Sequence, residues 1–519
     1  MKRKFFKLVY LTVLGLGLVM YSCADLEVEN LNEPDAADVL ATPGSMIQLG
    51  GGVFRIWHNA IQEYSGPGLS MCTMADQNTC SWGNAAMKDL SSEPRVGFNN
   101  NISYAYAYVN RNFWNSSYSG ISQINDVLKG ILMQGQKIEN EGKDITKMMT
   151  AWGYFLQGVI HGYLGLIFDK AFIISYDTDL EQLEFSPYKE VCDFAVSRLD
   201  SAIAVIDSDP SDWSLPDGFI RGTNLTKAEF RQLVNSFAAR ILAYAPRNAS
   251  QNDAVDWSKV LTYAQNGITY DLAPDMDDLK SGWSDNLKGY GVYPGWVRID
   301  HRIINLMDHD YPSRWPNDNV SWNTPDGNDP GEASSDDARL DTDFEFLSDN
   351  NFKPDRGYYH FSHYRYSRYD DWLVTWQGPA PSFRKWENDM LIAEALVRAN
   401  NDVAGAVAIL NDPDGARKVR GDLPDVDAGI SAEDCLTTIF YERDVELILT
   451  QGGTSFFDMR RRDMLQRGTI LHFPVPAAEL EIRQLENYTI AGPPDGENIS
   501  NGHWVGYDGL VSPIDWNGK

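Results

Sequence analysis

A recurring two-helix phrase restricts the fold of this chain more than any other feature. From Ile145 the apolar residues Met148, Met149, Trp152, Leu156, Val159, Ile160, Tyr163, Leu164 and Ile167 fall at three- and four-residue intervals, which places them on one stripe of a helix. A second helix is predicted over Tyr188–Ile206, with Val191, Cys192, Ala195, Leu199, Ala202 and Ile203 on its inner side and Ser186-Pro187 as its cap and first residue. The phrase returns at Thr226–Ala245 followed by Asp256–Ile268, and again at Asn388–Asn400 followed by Val403–Leu410. One helical hairpin cannot bury its own apolar stripe, so hairpins repeated in this way predict a mainly α scaffold of stacked, tetratricopeptide-like pairs. Ala238, Ala239, Ala393, Ala395 and Ala406 stand where closely packed helices need small residues. The irregular spacing between the pairs leaves an unrelated all-α bundle as the alternative.

The pairs are separated by long stretches of different character. Residues 281–322 and 353–386 are rich in Gly, Pro, Asn, Asp and aromatics and lack helical periodicity, so the region from roughly 270 to 386 reads as loop insertions on the helical scaffold. Tyr364, Tyr366 and Tyr358 suit short strands, and a small amount of sheet is expected there. Aromatic-rich segments of this length are usually ordered and functional. No Pro/Ser-rich linker or low-complexity tract divides the chain, and residues 23–519 read as a single loop-rich unit.

The amino terminus has its own logic. Lys2, Arg3, Lys4 and Lys7 precede an uncharged apolar run from Leu8 to Met20, which ends at Tyr21, Ser22 and Cys23. This is the pattern of a signal peptide over residues 1–22, and the run is shorter than the ~20 apolar residues of a spanning helix. A cysteine directly after a small residue at the end of such a run resembles the bacterial lipobox. Cleavage before Cys23 and lipid on that cysteine are therefore expected, with acyl chains anchoring the protein. Asp25, Glu27 and Glu29 follow directly and suit either a surface-export signal or a solvated tether.

The full chain carries −29, and loss of the four cations in residues 1–22 leaves the mature protein at −33. Such a balance opposes nucleic acid and anionic leaflets as partners, since both select basic footprints. Neutral ligands are not excluded. Cys72, Cys80, Cys192 and Cys435 have no metal-type spacing and are expected as free buried thiols, a Cys72–Cys80 disulfide being the alternative.

Several phrases, in order, resemble the SusD/RagB-like outer-membrane lipoproteins. They are Asn32-Glu33-Pro34 shortly after the lipidated cysteine, AWGYFLQGVIHGYLGLIFDK over Ala151–Lys170, and WENDMLIAEALVRA over Trp386–Ala399. YERDVELILTQGGTSFFDMRR over Tyr441–Arg461 and FPVPAAE over Phe473–Glu479 complete the set. The phrase at Ser455–Asp458 and the Ile167-Phe168-Asp169 segment depart from the family's commoner wording, as does Met74–Asn99. The resemblance implies a SusD-like helical scaffold on the outer membrane at the cell surface. It also implies capture of oligosaccharide or polysaccharide on an aromatic platform, and delivery to a SusC-like TonB-dependent transporter. Peptide capture, as in RagB-like members, and a surface glycan-degrading enzyme are the alternatives.

The residues support a platform independently. Trp and Tyr present broad apolar faces with a polar edge, which suits the C–H faces of a pyranose while nearby amides and carboxylates take its hydroxyls. Trp283, Trp296, Trp315 and Trp322, four of fifteen tryptophans, fall in one loop-rich region with Tyr290, Tyr293 and Tyr311 among them. Trp82, flanked by Asn78 and Asn84, is the candidate from the amino-terminal part, with Arg95 and Asn99 as further polar groups. The ligand-binding set is thus Trp82, Trp283, Tyr290, Trp296, Trp315 and Trp322.

Catalytic motifs are missing: the sequence has no HExxH, GxSxG or GxGxxG, and Gly130–Lys137 lacks the ending of a phosphate-binding loop. No enzyme activity and no cofactor are expected. His301 with His309 and His360 with His363 lie among aromatics, where stacking is the better reading than metal ligation. Asp370-Asp371 reads as solvated charge rather than one side of a glycosidase pair. Asp326, Asn328 and Asp329 depart from the EF-hand order.

Overall fold

The computed structural model describes residues 42–79, 82–277, 282–314, 330–348 and 362–507. The signal sequence, Cys23, the Asn32-Glu33-Pro34 phrase, Cys80, Trp315, Trp322, Tyr358, His360 and the Asp326, Asn328 and Asp329 group lie outside the described residues.

The scaffold is a succession of packed helices. α1 (Val53–Ile61), α2 (Tyr108–Leu132), α3 (Thr146–Ile167), α4 (Tyr188–Ser208), α5 (Lys227–Tyr244) and α6 (Trp257–Gln265) form its first part. After the insertions come α7 (Lys385–Asn400), α8 (Val403–Leu410) and α9 (Ala432–Glu446). Each of α1 to α7 packs on the next, and α7 in turn carries both α8 and α9. This near-neighbour order is that of stacked helical hairpins. Strands among the described residues occur in two-stranded antiparallel pairs.

Local chemistry sets the helix ends. Thr226 opens α5 with a capping box, its hydroxyl accepting from the Glu229 amide while the Glu229 carboxylate accepts from the Thr226 amide at 2.8 Å. Asp256 and Asp402 cap α6 and α8 in the same sense. The far end of α3 is held by two buried arginines: Arg247 donates to the Gly165 carbonyl at 2.6 Å and Arg460 to that of Leu166 at 2.8 Å. Guanidinium groups here satisfy carbonyls that have no partner within the helix and oppose the negative end of its dipole.

α3 is buried almost all round, whereas the residue pattern predicts one stripe. Gln157, Gly158, His161 and Gly162 are enclosed along with the apolar positions. Two glycines permit this close approach: a Cβ on Gly158 would lie 2.6 Å from Leu199, and one on Gly162 would lie 2.3 Å from Ile241. The helix forms the centre of a core that runs from α1 through the insertions, and a smaller apolar cluster joins α7, α8 and α9 through Trp386, Met390, Leu410 and Ile439. Ala238, Ala239, Ala393, Ala395 and Ala406 are fully enclosed in these clusters.

The later sequence phrases are joined by charge. Glu394 of α7 accepts from Arg461 through both carboxylate oxygens at 2.7 Å and pairs with Arg443 of α9, while Arg461 and Arg443 also reach Asp458. All four side chains are buried. Burial alone would raise the Glu394 and Asp458 carboxyls, but Arg461 and its neighbouring guanidiniums outweigh it, holding Glu394 well below the usual carboxylate range and Asp458 at about 2.

The insertions contain more helix than their composition suggests. Asn286–Val292, His301–Met307 and Asp370–Thr375 are short helices, the first two opened by Asp285 and Asp300, whose carboxylates accept from the amides of Lys288 and Arg302 at 2.8 Å. Helices of about two turns are fixed by their caps and by packing, and leave little periodicity to read. The expected sheet is present: Tyr364–Tyr366 pairs with Phe344–Phe346, Tyr364 opposite Phe346 and Tyr366 opposite Phe344. Cys72, Cys192 and Cys435 are buried free thiols, and burial pushes Cys72 up to about 12.

Candidate ligand-binding surface

Three separated parts of the chain meet to form an aromatic surface. The loop after Met74 crosses the segment before His301: Asn78 bridges Ile299, and the Thr79 amide donates to the Arg298 carbonyl at 3.0 Å. The crossing brings the Trp82 indole to the Gly295 carbonyl, to which it donates at 2.6 Å, and the Tyr290 hydroxyl to Asn84, at 2.7 Å. Arg298 is buried beneath and donates to the Pro294 carbonyl at 2.6 Å, fixing the turn that carries Trp296. Tyr64, just beyond α1, closes the group.

The rings form a run. Tyr64 stacks on Tyr290 with centroids 5.5 Å apart and planes 17° from parallel, Tyr290 meets Trp296 at 5.2 Å and 33°, and Trp296 meets Tyr293 at 4.4 Å and 31°. Tyr64 is 39% and Tyr293 42% exposed, Trp82 and Trp296 are half-buried, and the central Tyr290 is 4% exposed. Tyr290 is therefore a pinned support, and its neighbours offer the surface. A second strip adjoins it: Tyr104, Tyr106 and Tyr108 stand edge to face at 5.5 and 6.1 Å, all half-buried. The Tyr108 hydroxyl accepts from the Ala85 amide at 3.3 Å, one residue beyond the Asn84 that holds Tyr290, which ties the two strips together. Asp89, which accepts from the Tyr104 hydroxyl, and Glu63, which accepts from Asn286 at 2.6 Å, add carboxylates at the margin.

The structure brings Trp82, Tyr290 and Trp296 together and puts Trp283 elsewhere. Trp283 is 4% exposed and packs against Phe54 and His58 at 6.1 and 5.6 Å, below the surface. Tyr311 is likewise buried, stacked on His301. Arg95 is buried and donates to Asp76 at 2.7 Å, which gives it a structural partner, while Asn99 is exposed. His309 stacks on Tyr507, and Asp370 is forked by Arg365 while its side chain stays 42% exposed, so the charge is paired as well as solvated. Tyr64, Tyr104, Tyr106 and Tyr108 escaped the sequence reading, although the alternation in Ser103–Val109 (SYAYAYV) was a visible signal for three of them. Among the described residues no cluster of His, Cys, Asp or Glu has metal-binding geometry, and no helix is long and apolar enough to cross a membrane.

No family model and no curated protein matches the sequence. Solved structures do match. A SusD superfamily protein from Parabacteroides distasonis is 15% identical with a TM-score of 0.59, the match covering 85% of this chain and 97% of that one. A SusD-like carbohydrate-binding protein from Bacteroides fragilis is 14% identical with a TM-score of 0.54, covering 82% and 86%. Surface glycan-binding protein A from Bacteroides uniformis is 15% identical with a TM-score of 0.52, covering 81% and 87%. The chain thus has the SusD-like fold, in agreement with what its sequence phrases implied. At these identities the likeness is one of architecture.

Proposed function

We propose that this protein is a lipid-anchored, non-enzymatic surface protein of the outer membrane that captures extracellular glycan and presents it to a TonB-dependent transporter. The observation that carries the reading is the Tyr64–Tyr290–Trp296–Tyr293 run, with Trp82 locked beside it by the Gly295 carbonyl. Rings fixed before the ligand arrives lose little further freedom on binding, and their faces stack on sugar rings while carboxylates and amides at the edge accept hydroxyls. The solved structures of like fold include proteins described as carbohydrate-binding and as surface glycan-binding, which supports the ligand class. The lipid on Cys23 would hold the platform beside its transporter at high effective concentration, so modest affinity suffices and release remains fast. Trp315 and Trp322 are further candidates for the same surface.

Titration of the soluble mature chain against a panel of glycans and peptides tests this. Trp296→Ala, Tyr293→Ala and Trp82→Ala should each weaken binding of one glycan class, Trp296→Ala most, by about 2 kcal/mol or roughly 30-fold. Unchanged glycan binding in all three variants would remove the platform. Binding of peptides but of no glycan would replace the ligand, and capture of the intact lipoprotein without any outer-membrane transporter would remove the partner.

A further inference from the structure

A second cleft lies away from the aromatic run, between the helix His301–Met307, α9 and the stretch Trp504–Tyr507. Its volume is about 580 Å³ and it shares no residue with the run, a size within the ~300–1,000 Å³ range of small-molecule sites. Its charge sets it apart in a chain of net −29. The lining holds three guanidiniums, Arg302, Arg398 and Arg462, and three carboxylates, Asp253, Glu433 and Asp444.

Each of those cations already has an acidic partner. Arg302 forks onto Asp444 at 3.0 and 3.2 Å, Arg462 meets Asp458 at 2.9 Å, and Arg398 meets Glu394 at 2.7 Å with Asp253 at 3.4 Å. No guanidinium is left over to select an anion, and the exposed Glu433 and Asp253 at the rim oppose one. Paired charges of this kind still have hydrogen-bonding capacity to offer hydroxyls on both sides.

The apolar part of the lining is aromatic and fixed. The Trp504 indole donates to Asp76 at 2.8 Å, and the Tyr507 amide donates to Asn305 at 2.9 Å, holding this stretch over the cleft. Tyr507 is 50% exposed, and one ring face stacks on His309 at 3.4 Å and 12°. His309 lines the adjoining cavity, and Tyr507 lines both that cavity and this cleft.

We infer that this cleft is a second binding site, for a small neutral polyhydroxylated ligand of mono- or disaccharide size, with Tyr507 as its stacking ring and Thr437 as a hydroxyl partner. A purely apolar ligand would strand the polar lining without hydrogen bonds, and a charged one would meet a cleft whose charges are already balanced. The inference does not rest on what the aromatic run binds.

The experiment uses the mature chain carrying Trp296→Ala, so that the outer surface is weakened separately, and reads binding by saturation-transfer NMR and calorimetry. The probes are glucose, galactose, mannose, N-acetylglucosamine and their disaccharides, with glucuronate and glucosamine as charged counterparts. At least one neutral sugar should bind this background. Adding Tyr507→Ala should weaken it about tenfold, the loss expected when a stacked ring is removed, with Thr437→Val giving a smaller loss and neither changing the melting temperature. Absence of neutral-sugar binding, equal or tighter binding of either charged counterpart, or binding indifferent to Tyr507→Ala would each overturn the assignment. Glycan binding by the outer surface is read independently, as the difference between the wild-type chain and Trp296→Ala.

Discussion

The buried ion network and the aromatic surface are assembled by opposite rules. In the network, Glu394, Arg443, Asp458 and Arg461 are held out of water and satisfied by one another. In the aromatic run, rings are held at the water boundary with a face still to be covered. Removing one partner of the first leaves charge stranded in the interior. Removing one ring of the second takes away contact area that only a ligand would use. Stability and binding should therefore separate cleanly between the two regions.

The strongest way to break this contrast is Glu394→Ala, which leaves the buried Arg443 and Arg461 to share Asp458 and should cost about 3–5 kcal/mol of stability in denaturant unfolding. The exposed ring variant Tyr293→Ala should shift stability by no more than about 0.5 kcal/mol while weakening glycan binding. If both moved stability alike, the two regions would not be separable.

Acid provides a graded version of the same test. A carboxyl whose folded value is depressed contributes stability that is present above its unfolded value and lost as pH falls through the folded one. Asp458, held at about 2 by Arg461, Arg462 and Arg443 against its burial, and Glu394, depressed in the same sense, should make the urea midpoint fall between about pH 4 and about pH 2. Asp458→Asn should flatten that fall. A smaller loss than at Glu394 is expected at a helix start far from either region, where Thr226→Ala removes one half of the α5 capping box and should cost about 1 kcal/mol with binding unchanged.

These regions also differ in how far the sequence disclosed them. α8 begins and ends where the apolar spacing puts it, and α3 and α4 do so to within about two residues. α2, the longest helix among the described residues, escaped notice because Asn110, Asn112, Asn115, Ser116, Ser117, Ser119 and Gly120 dilute its stripe with residues that favour turns. Its inward positions Phe113, Trp114, Ile121, Ile124 and Leu128 still hold helical spacing. At the aromatic surface, richness in Trp and Tyr marked the region without telling a buried ring from an exposed one. Trp283 and Trp296 have similar local surroundings in sequence, yet one packs on Phe54 and the other lies at the surface. That difference is set by long-range crossing of the chain, which local pattern does not encode. The Tyr64 contribution was invisible for the same reason, since only its stacking on Tyr290 distinguishes it from any other tyrosine after a helix.

The Trp82–Gly295 and Tyr290–Asn84 contacts join residues 213 and 206 positions apart. Closures over such sequence distances come late in folding, after local helices have formed. Grip on a ligand is then the last property the folding polypeptide acquires: a chain with its helices formed and this crossing still open carries the rings but has nowhere to hold a guest. Recognition is in this way postponed until the molecule has finished folding.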